Sequence, residues 1–325
     1  MGMQYRPLGK SGLKVSAIGL GTNALGSRAD KPTSINIIHA ALELGINFID
    51  TANVYSGGQS EKIIGEALRG RRGEAVVATK AGLPVGSGPY DRGASRRHLL
   101  AQVEHSLNSL ATDYIDLFYV HTFDSETPLE ETLSTLDDLV RFGKVRYVAA
   151  SNYWPWELAV ALGLSDRYGW PRFAGVQSSY SLVDRWPEIE LLPLCRHQGV
   201  GLVAYYPLAG GLLTGKYRSG AVPQGSRMDK VPRFRTMIDE SRQNFADRFA
   251  DFARDHHLEP AALSIAWLLQ QSSVSSAIVG ATNPDQLFGN VQALEVAWSS
   301  SLDSGLDQMS RAYTQDNKFG WYRLN

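Results

Sequence analysis

Apolar and polar positions change period repeatedly along this chain. Short apolar runs are each followed by turn residues, then by a segment whose apolar positions recur with the helical period. The runs predict strands at Ser16–Gly19, Asn47–Asp50, Ala75–Thr79, Tyr114–Val120, Tyr147–Ala150, Gly175–Gln177, Gly201–Tyr205 and Ser276–Val279. Between the first two, Ser34–Leu44 places Ile37, Ile38, Ala41 and Leu44 on one face and stops at Gly45. Ser95 is placed to cap a helix that buries Leu99, Leu100, Val103, Leu107 and Leu110. Thr127-Pro128-Leu129-Glu130 reads as a capping box with proline at the first helical position. The helix it opens buries Leu133, Leu136 and Val140 and ends at Gly143. Helices with weaker edges follow at Ala161–Leu164, Glu188–Arg196, Gln243–Ala253 and Pro260–Leu269.

Strand–helix alternation implies an α/β fold with a parallel sheet and helical crossovers. Eight such units predict a closed (β/α)8 TIM barrel. No composition shift marks a second domain, so residues 1–325 read as one. Gln4–Val15, with Gly9 and Gly12 flanking Lys10-Ser11, reads as a β-hairpin covering the barrel bottom. The polar stretch Tyr217–Arg242 reads as a lid or binding loop.

Composition narrows the function. Hydrophobic residues make up 43% and charged residues 20%, a balance expected of a soluble globular protein. A formal net charge of −1 provides no global field for nucleic acid or anionic lipid. MGMQYRPLGKSG has no apolar core, so no secretory signal is expected, and no apolar run is long enough for a membrane span. The one cysteine, Cys195, excludes an internal disulfide and a Cys-cluster metal site. These features point to a cytoplasmic enzyme or ligand-binding protein that needs no metal.

In a barrel of this kind, residues just past the strand C-termini meet on one face. Asp50 ends the second strand with Tyr55 beyond it, Lys80 ends the third and His121 the fourth. A phenol ionises near pH ~10, too high for proton donation near neutrality. A nearby ammonium lowers that value, and a carboxylate keeps the ammonium charged when buried. An imidazole can hydrogen-bond a substrate carbonyl oxygen. Such a set moves a proton at a carbonyl or alcohol oxygen. A redox reaction there requires a hydride carrier. Taken singly, each residue is as well explained by a loop cap, a strand-end lysine or a structural histidine. Their convergence on adjacent strand ends favours chemistry.

IDTANVYSGGQSEKIIGEAL, VVATKAG, YIDLFYVHTFDSETPLEETL, GKVRYVAASNYWPWEL, GVQSSYSLVDR, VAYYPLAGGLLTGKY and IVGATNPDQLFGNVQAL resemble, in order, the signature blocks of the aldo-keto reductase superfamily. The style is that of bacterial members similar to the potassium-channel β-subunits. The resemblance implies an NAD(P)-dependent oxidoreductase acting on aldehydes, ketones or sugars. It makes Tyr55 the acid, Lys80 and Asp50 its partners and His121 the carbonyl orienter. NADP(H) is the favoured cofactor and NAD(H) the alternative. Ser151, Asn152 and Gln177 match the nicotinamide carboxamide partners, and Tyr205 the residue stacked on its ring. Pro207, Leu208, Gly210, Leu212, Gly215 and Lys216 match the pyrophosphate segment, and Arg227 a further phosphate-side arginine. Gly280, Thr282, Gln286 and Asn290 match the block that grips the adenosine half. Gly21 and Thr22 fall beneath the cofactor, while Ala24, Leu83, Tyr90, Phe123 and Trp154 are candidate substrate-pocket walls. The 217–242 loop closes over the cofactor if Arg227, Arg233 and Arg235 meet its phosphates.

Two positions depart from the pattern. Thr282 stands where many members carry a basic or serine side chain facing the 2′-phosphate of NADP. Ser56 stands where many have glycine. Rival readings are a nicotinamide-sensing regulatory module with little turnover, a metal-dependent barrel, and a Rossmann fold suggested by Gly19-Leu20-Gly21-Thr22-Asn23-Ala24. The last is disfavoured because Gly26 and Pro32 separate the fingerprint from the first clear helix, whereas pyrophosphate binding needs the helix at once.

Overall fold

The computed structural model describes residues 2–231, 233–236 and 238–315, without the side chain of Arg233. An antiparallel hairpin, β1 (Tyr5–Pro7) and β2 (Lys14–Ser16), precedes the barrel. The barrel strands are β3 (Ile18–Gly21), β4 (Phe48–Asp50), β5 (Val76–Ala81), β6 (Ile115–Val120), β7 (Val145–Ser151), β8 (Gly175–Ser179), β9 (Gly201–Tyr205) and β10 (Val274–Gly280). All pair in parallel with their chain neighbours, and β10 closes against β3 with Ile278 opposite Gly19. The architecture is therefore the expected (β/α)8 barrel with its N-terminal hairpin.

The principal helices are α1 (Lys31–Glu43), α2 (Gln59–Ala67), α3 (Arg96–Leu110), α4 (Leu129–Arg141), α5 (Pro155–Tyr168) and α6 (Leu191–Gln198). They continue as α7 (Arg227–Lys230), α8 (Arg233–Thr236), α9 (Glu240–Asp255), α10 (Pro260–Gln270), α11 (Pro284–Val291) and α12 (Ser300–Ser310). No helix among the described residues is long and apolar enough to cross a membrane. Within Tyr217–Arg242, read as a lid or binding loop, lie the two short helices α7 and α8.

Two helix starts differ from expectation. α1 begins at Lys31 because the Asp30 carboxylate accepts from Thr33 N–H and Pro32 fits the first turn, where its missing N–H matters least. The capping box at Thr127 does not form. The Thr127 hydroxyl instead donates to Asp124 Oδ2 at 2.7 Å, leaving Pro128 as N-cap without a side-chain bond. Asp124 also accepts from Ala94 N–H and Glu126 N–H, and so fastens the β5–α3 connection to the loop after β6.

The hairpin closes the barrel bottom. Leu8, Leu13 and Val15 pack with Phe48, Ala78, Leu117, Tyr119, Ala149, Val203 and Ile278 inside the barrel. Its seat leaves no room for side chains at the contact. Gly9 has φ +58°, and a Cβ there would run into Gly199 O, with Ala174 O and Gly201 N at 2.7 Å. Beneath β6, Arg72 and Arg146 sandwich the Tyr114 ring at 4.2 and 3.6 Å. Both guanidinium groups donate to Asp116, at 2.6 and 3.3 Å.

Candidate active site

The short strand β4 ends at Asp50 and the chain turns at once into a tight loop. Ser56, Gly57 and Gly58 all take positive φ, at 52°, 63° and 85°. Glycine adopts that region freely, whereas Ser56 is strained by roughly 1 kcal/mol. The Ser56 hydroxyl offsets this by donating to Ser27 Oγ at 3.0 Å. The turn sets half-buried Tyr55 at its head and starts α2 directly behind it.

Lys80 projects from β5 with 0% exposure. Its Nζ donates to Asp50 Oδ1 at 2.6 Å and to the Thr51 carbonyl at 2.8 Å. The same ammonium lies 5.1 Å from the Tyr55 ring centroid and 5.4 Å from that of Tyr119. Burial lowers the Lys80 pKa and the Asp50 carboxylate opposes that shift. His121, just past β6, meets the Tyr55 ring edge-on with centroids 6.0 Å apart. Burial, with Lys80 second, holds its pKa well below 6.5, so the ring is neutral at pH 7. A half-buried phenol, a fully buried ammonium, its carboxylate and a neutral imidazole therefore share one side of the barrel mouth.

Around the mouth the set is tied together. Gln177 Nε2 donates to Asp50 Oδ2 at 2.7 Å. Asn152, with φ +56°, donates from Nδ2 to the His121 carbonyl at 3.0 Å and to Ser151 Oγ at 3.1 Å. Its Oδ1 accepts from the Tyr205 hydroxyl at 2.8 Å. Ser151, Asn152, Gln177 and Tyr205 are thus brought together with the four central residues. The Gln177–Asp50 contact spans 127 positions of sequence, beyond the reach of any local pattern.

Beyond β9 the backbone winds through a 3₁₀ segment, Ala209–Thr214, that holds Leu208–Lys216 as a glycine-rich shelf. Gly210, Gly211 and Gly215 have φ of +71°, +104° and +77°. Arg227, on α7, lies 4.1 Å from the Phe234 ring and donates to the Tyr206 hydroxyl at 3.4 Å. Arg28 reaches from the β3–α1 loop, donating to Asn23 Oδ1 at 2.9 Å. Burial and then the Arg227 charge lower the Arg28 pKa to about 10. The two guanidinium groups repel one another, and Arg227 lies against Phe234, which in turn packs on Gly210. Arg28 and Tyr206 escaped sequence reading, although an arginine inside Gly26-Ser27-Arg28 and a tyrosine next to Tyr205 were available as signals. The side chain of Arg233 lies outside the described residues, and Arg235 donates to the Met228 carbonyl.

Other expected positions are more peripheral. Gly280 ends β10, and Thr282 N–H donates to Gln286 Oε1 at 2.8 Å, while Asn290 is buried on α11. Thr22, Ala24 and Leu212 are buried, as Ser151, His121 and Gln177 are. Pro207 offers its carbonyl to Ser264. Among the expected pocket walls, Leu83 is buried, Phe123 packs edge-on against Tyr153 and Trp156, and Trp154 packs edge-on against Trp186. Tyr90 is exposed, with the Arg97 guanidinium 4.1 Å from its ring.

The sequence profile of the aldo/keto reductase family matches residues 17–309. The chain is 38% identical to L-glyceraldehyde 3-phosphate reductase of Escherichia coli (strain K12), over 94% of this chain and 92% of that protein. It is 36% identical to a probable voltage-gated potassium channel subunit beta of Arabidopsis thaliana, over 90% and 92% of the two chains. It is also 36% identical to the uncharacterized oxidoreductase YrpG of Bacillus subtilis (strain 168), over 92% and 94%.

Proposed function

The chain belongs to the aldo/keto reductase family, and on that premise we propose that it reversibly reduces aldehydes and ketones, sugars among them, with Tyr55 as proton donor. The observation that carries this reading is the buried Lys80 ammonium between Asp50 Oδ1, at 2.6 Å, and the Tyr55 ring, at 5.1 Å.

A nicotinamide cofactor, when bound, supplies the hydride that the carbonyl carbon receives. The protein supplies the rest. Asp50 keeps Lys80 positioned and charged despite burial. The ammonium stabilises the phenolate that remains when Tyr55 gives its proton to the substrate oxygen. Neutral His121 orients the carbonyl by hydrogen bonding. In the reverse direction the phenolate takes the alcohol proton as hydride leaves the carbon.

Ser151, Asn152, Gln177 and Tyr205 would hold the nicotinamide end. The shelf at 207–216 with Lys216, Arg227 and Arg28 would hold the phosphates, and the block around Gly280, Thr282, Gln286 and Asn290 the adenosine end. NADP(H) is the favoured partner on family grounds. Phe123, Trp154 and Leu83 would border the substrate, a small carbonyl compound; the phosphorylated aldehyde in the name of one relative belongs in the first panel tested.

Fluorescence titration with NADPH and NADH, followed by turnover of a carbonyl panel, tests the proposal. Tyr55→Phe should bind cofactor normally and lose about 10³-fold in kcat, within the range of general acid catalysis. Near-normal kcat in that variant removes Tyr55 as the acid. Tight cofactor binding by the unchanged chain, with no turnover of any carbonyl, would point to a binding module.

A further inference from the structure

The Lys80 ammonium draws its two acceptors from one short stretch of backbone. Asp50 gives a carboxylate oxygen and Thr51 gives its carbonyl, on either side of a single peptide unit at the end of β4. Behind that peptide lie three hydroxyls, those of Thr22, Thr51 and Ser60, all with 0% exposure. Thr22 Oγ1 donates to the Asp50 carbonyl at 2.9 Å. Its one proton is thereby committed, so at 2.8 Å it accepts from Ser60 Oγ. The Ser60 hydroxyl also reaches the Thr22 carbonyl, at 3.2 Å, so its proton is spent on Thr22 either way. The 2.9 Å contact between Ser60 and Thr51 Oγ1 therefore has Thr51 as donor. The hydroxyls form a one-way chain, Thr51 to Ser60 to Thr22 to the Asp50 carbonyl, that loops around the 50–51 peptide.

The middle hydroxyl belongs to α2, the helix that begins right after the Tyr55 turn. The next residue, Glu61, accepts from Thr79 Oγ1 at 2.6 Å, beside Lys80 on β5. The first turn of α2 therefore grips the strand end that carries the acid's carboxylate and the strand that carries its lysine.

We infer that Ser60 is a positioning residue for proton transfer: it fixes the peptide that presents both Lys80 acceptors and so sets the acidity of Tyr55. This rests on the reading of Tyr55 as the acid. The titratable groups facing Lys80 are Asp50, Tyr55, Tyr119 and His121, and among them Asp50 carries the opposing charge. In a fully buried site, displacing an acceptor leaves desolvation of the ammonium less opposed. The lysine then protonates less readily, the phenolate loses support and the phenol becomes a weaker acid.

The test is kcat against pH, with saturating NADPH and 4-nitrobenzaldehyde as probe. Ser60→Ala should lose about tenfold or more in kcat, keep KM and cofactor Kd within about twofold, and move the high-pH limb up by about one unit. Thr51→Val should do the same, and the double variant should be no worse than either, because one chain is cut. Thr51→Ser, which keeps the hydroxyl, should restore the profile. A Ser60→Ala variant with an unchanged pH profile overturns the inference, whatever happens to its melting temperature. Should Ser60→Ala fail to fold, the Thr51→Val and Thr51→Ser pair decides the matter by the same readout. Tyr55→Phe run alongside separates the two levels. If it stays active, the acid is misassigned and this role falls with it. If it is inactive while Ser60→Ala keeps the ordinary profile, only the positioning role fails.

Discussion

Asp50 and Lys80 form an ion pair from which water is excluded: Nζ and Oδ1 are 2.6 Å apart, and the lysine side chain has 0% exposure. Removing one member leaves the other charged and buried, which typically destabilises by about 3–5 kcal/mol. Asp50→Asn should therefore lower the melting temperature as well as kcat. Lys80→Met, which leaves the Asp50 carboxylate buried without its cation, should be destabilised by a similar amount and lose more turnover than Asp50→Asn. Calorimetry and steady-state kinetics on both variants check this ordering.

Two buried histidines give stability a defined pH response. Burial lowers the pKa of both His121 and His98, and His98 holds the Tyr90 carbonyl through Nδ1 at 2.8 Å. A depressed folded-state pKa means the unfolded chain takes up protons first. The stability these groups contribute is complete above about pH 6.5 and declines below it, by up to about 1.4 kcal/mol per pH unit for each. Glu61 has the opposite sign. Its carboxyl pKa is raised by burial, so the stability it contributes is complete at low pH and lost as pH rises through the folded value. Melting temperatures between pH 7.5 and 5.0 should fall, less steeply in His98→Gln and more steeply in Glu61→Gln.

Asp116 is the common acceptor of the cluster below β6. It takes hydrogen bonds from Arg72, Arg146 and Val77 N–H, the first at 2.6 Å and the last at 3.0 Å. Asp116→Ala leaves the buried Val77 N–H without its acceptor and should destabilise by about 1–3 kcal/mol, with kcat per folded molecule unchanged. Urea titration monitored by fluorescence gives the number.

The hairpin plug is sensitive to one methyl group. Gly9→Ala drives a Cβ into backbone that cannot yield and forces alanine to positive φ. The expected loss is about 2 kcal/mol or more; Leu8→Ala, which only empties a pocket, should lose about 2–5 kcal/mol. Denaturation midpoints of the two variants test whether the seat is as rigid as its glycines indicate.

Arg227 and Arg28 are close enough for the charge of one to be felt by the other. Arg227→Met should weaken NADPH binding by about tenfold, and the loss should shrink as salt is added. Titrations at two ionic strengths separate this electrostatic contribution from loss of packing on Phe234.

The strand–helix alternation was legible because each element answers to one period, and barrel closure follows from eight repeats. Tyr55, Lys80, Asp50 and His121 were legible for a related reason: strand ends mark the catalytic face. Contacts that depend on competition or distance were not. Thr127 looked like a cap, but its hydroxyl is held by the Asp124 carboxylate and the helix starts from Pro128 instead. Pro32 looked like a breaker, yet it sits in the first turn behind Asp30. The Gln177–Asp50 bond joins strands four apart around the barrel, and no local pattern encodes it. The hydroxyl chain through Ser60 was hidden in the same way, since a buried serine in a helix reads from sequence as a small polar residue and nothing more.

The hairpin that seals the barrel is also a matter of timing. Arg6 donates to the Val274 carbonyl and Ser275 to that of Pro7, each pair 268 residues apart. The hairpin thus waits for a strand made more than two hundred residues later. Until β10 emerges, Leu8, Leu13 and Val15 have no finished floor to enter, and the sheet has two open edges. Vectorial synthesis therefore makes closure a late, all-at-once event. A polypeptide released before β10 would carry an unseated apolar hairpin and unpaired strand edges, both marks of an aggregation-prone form.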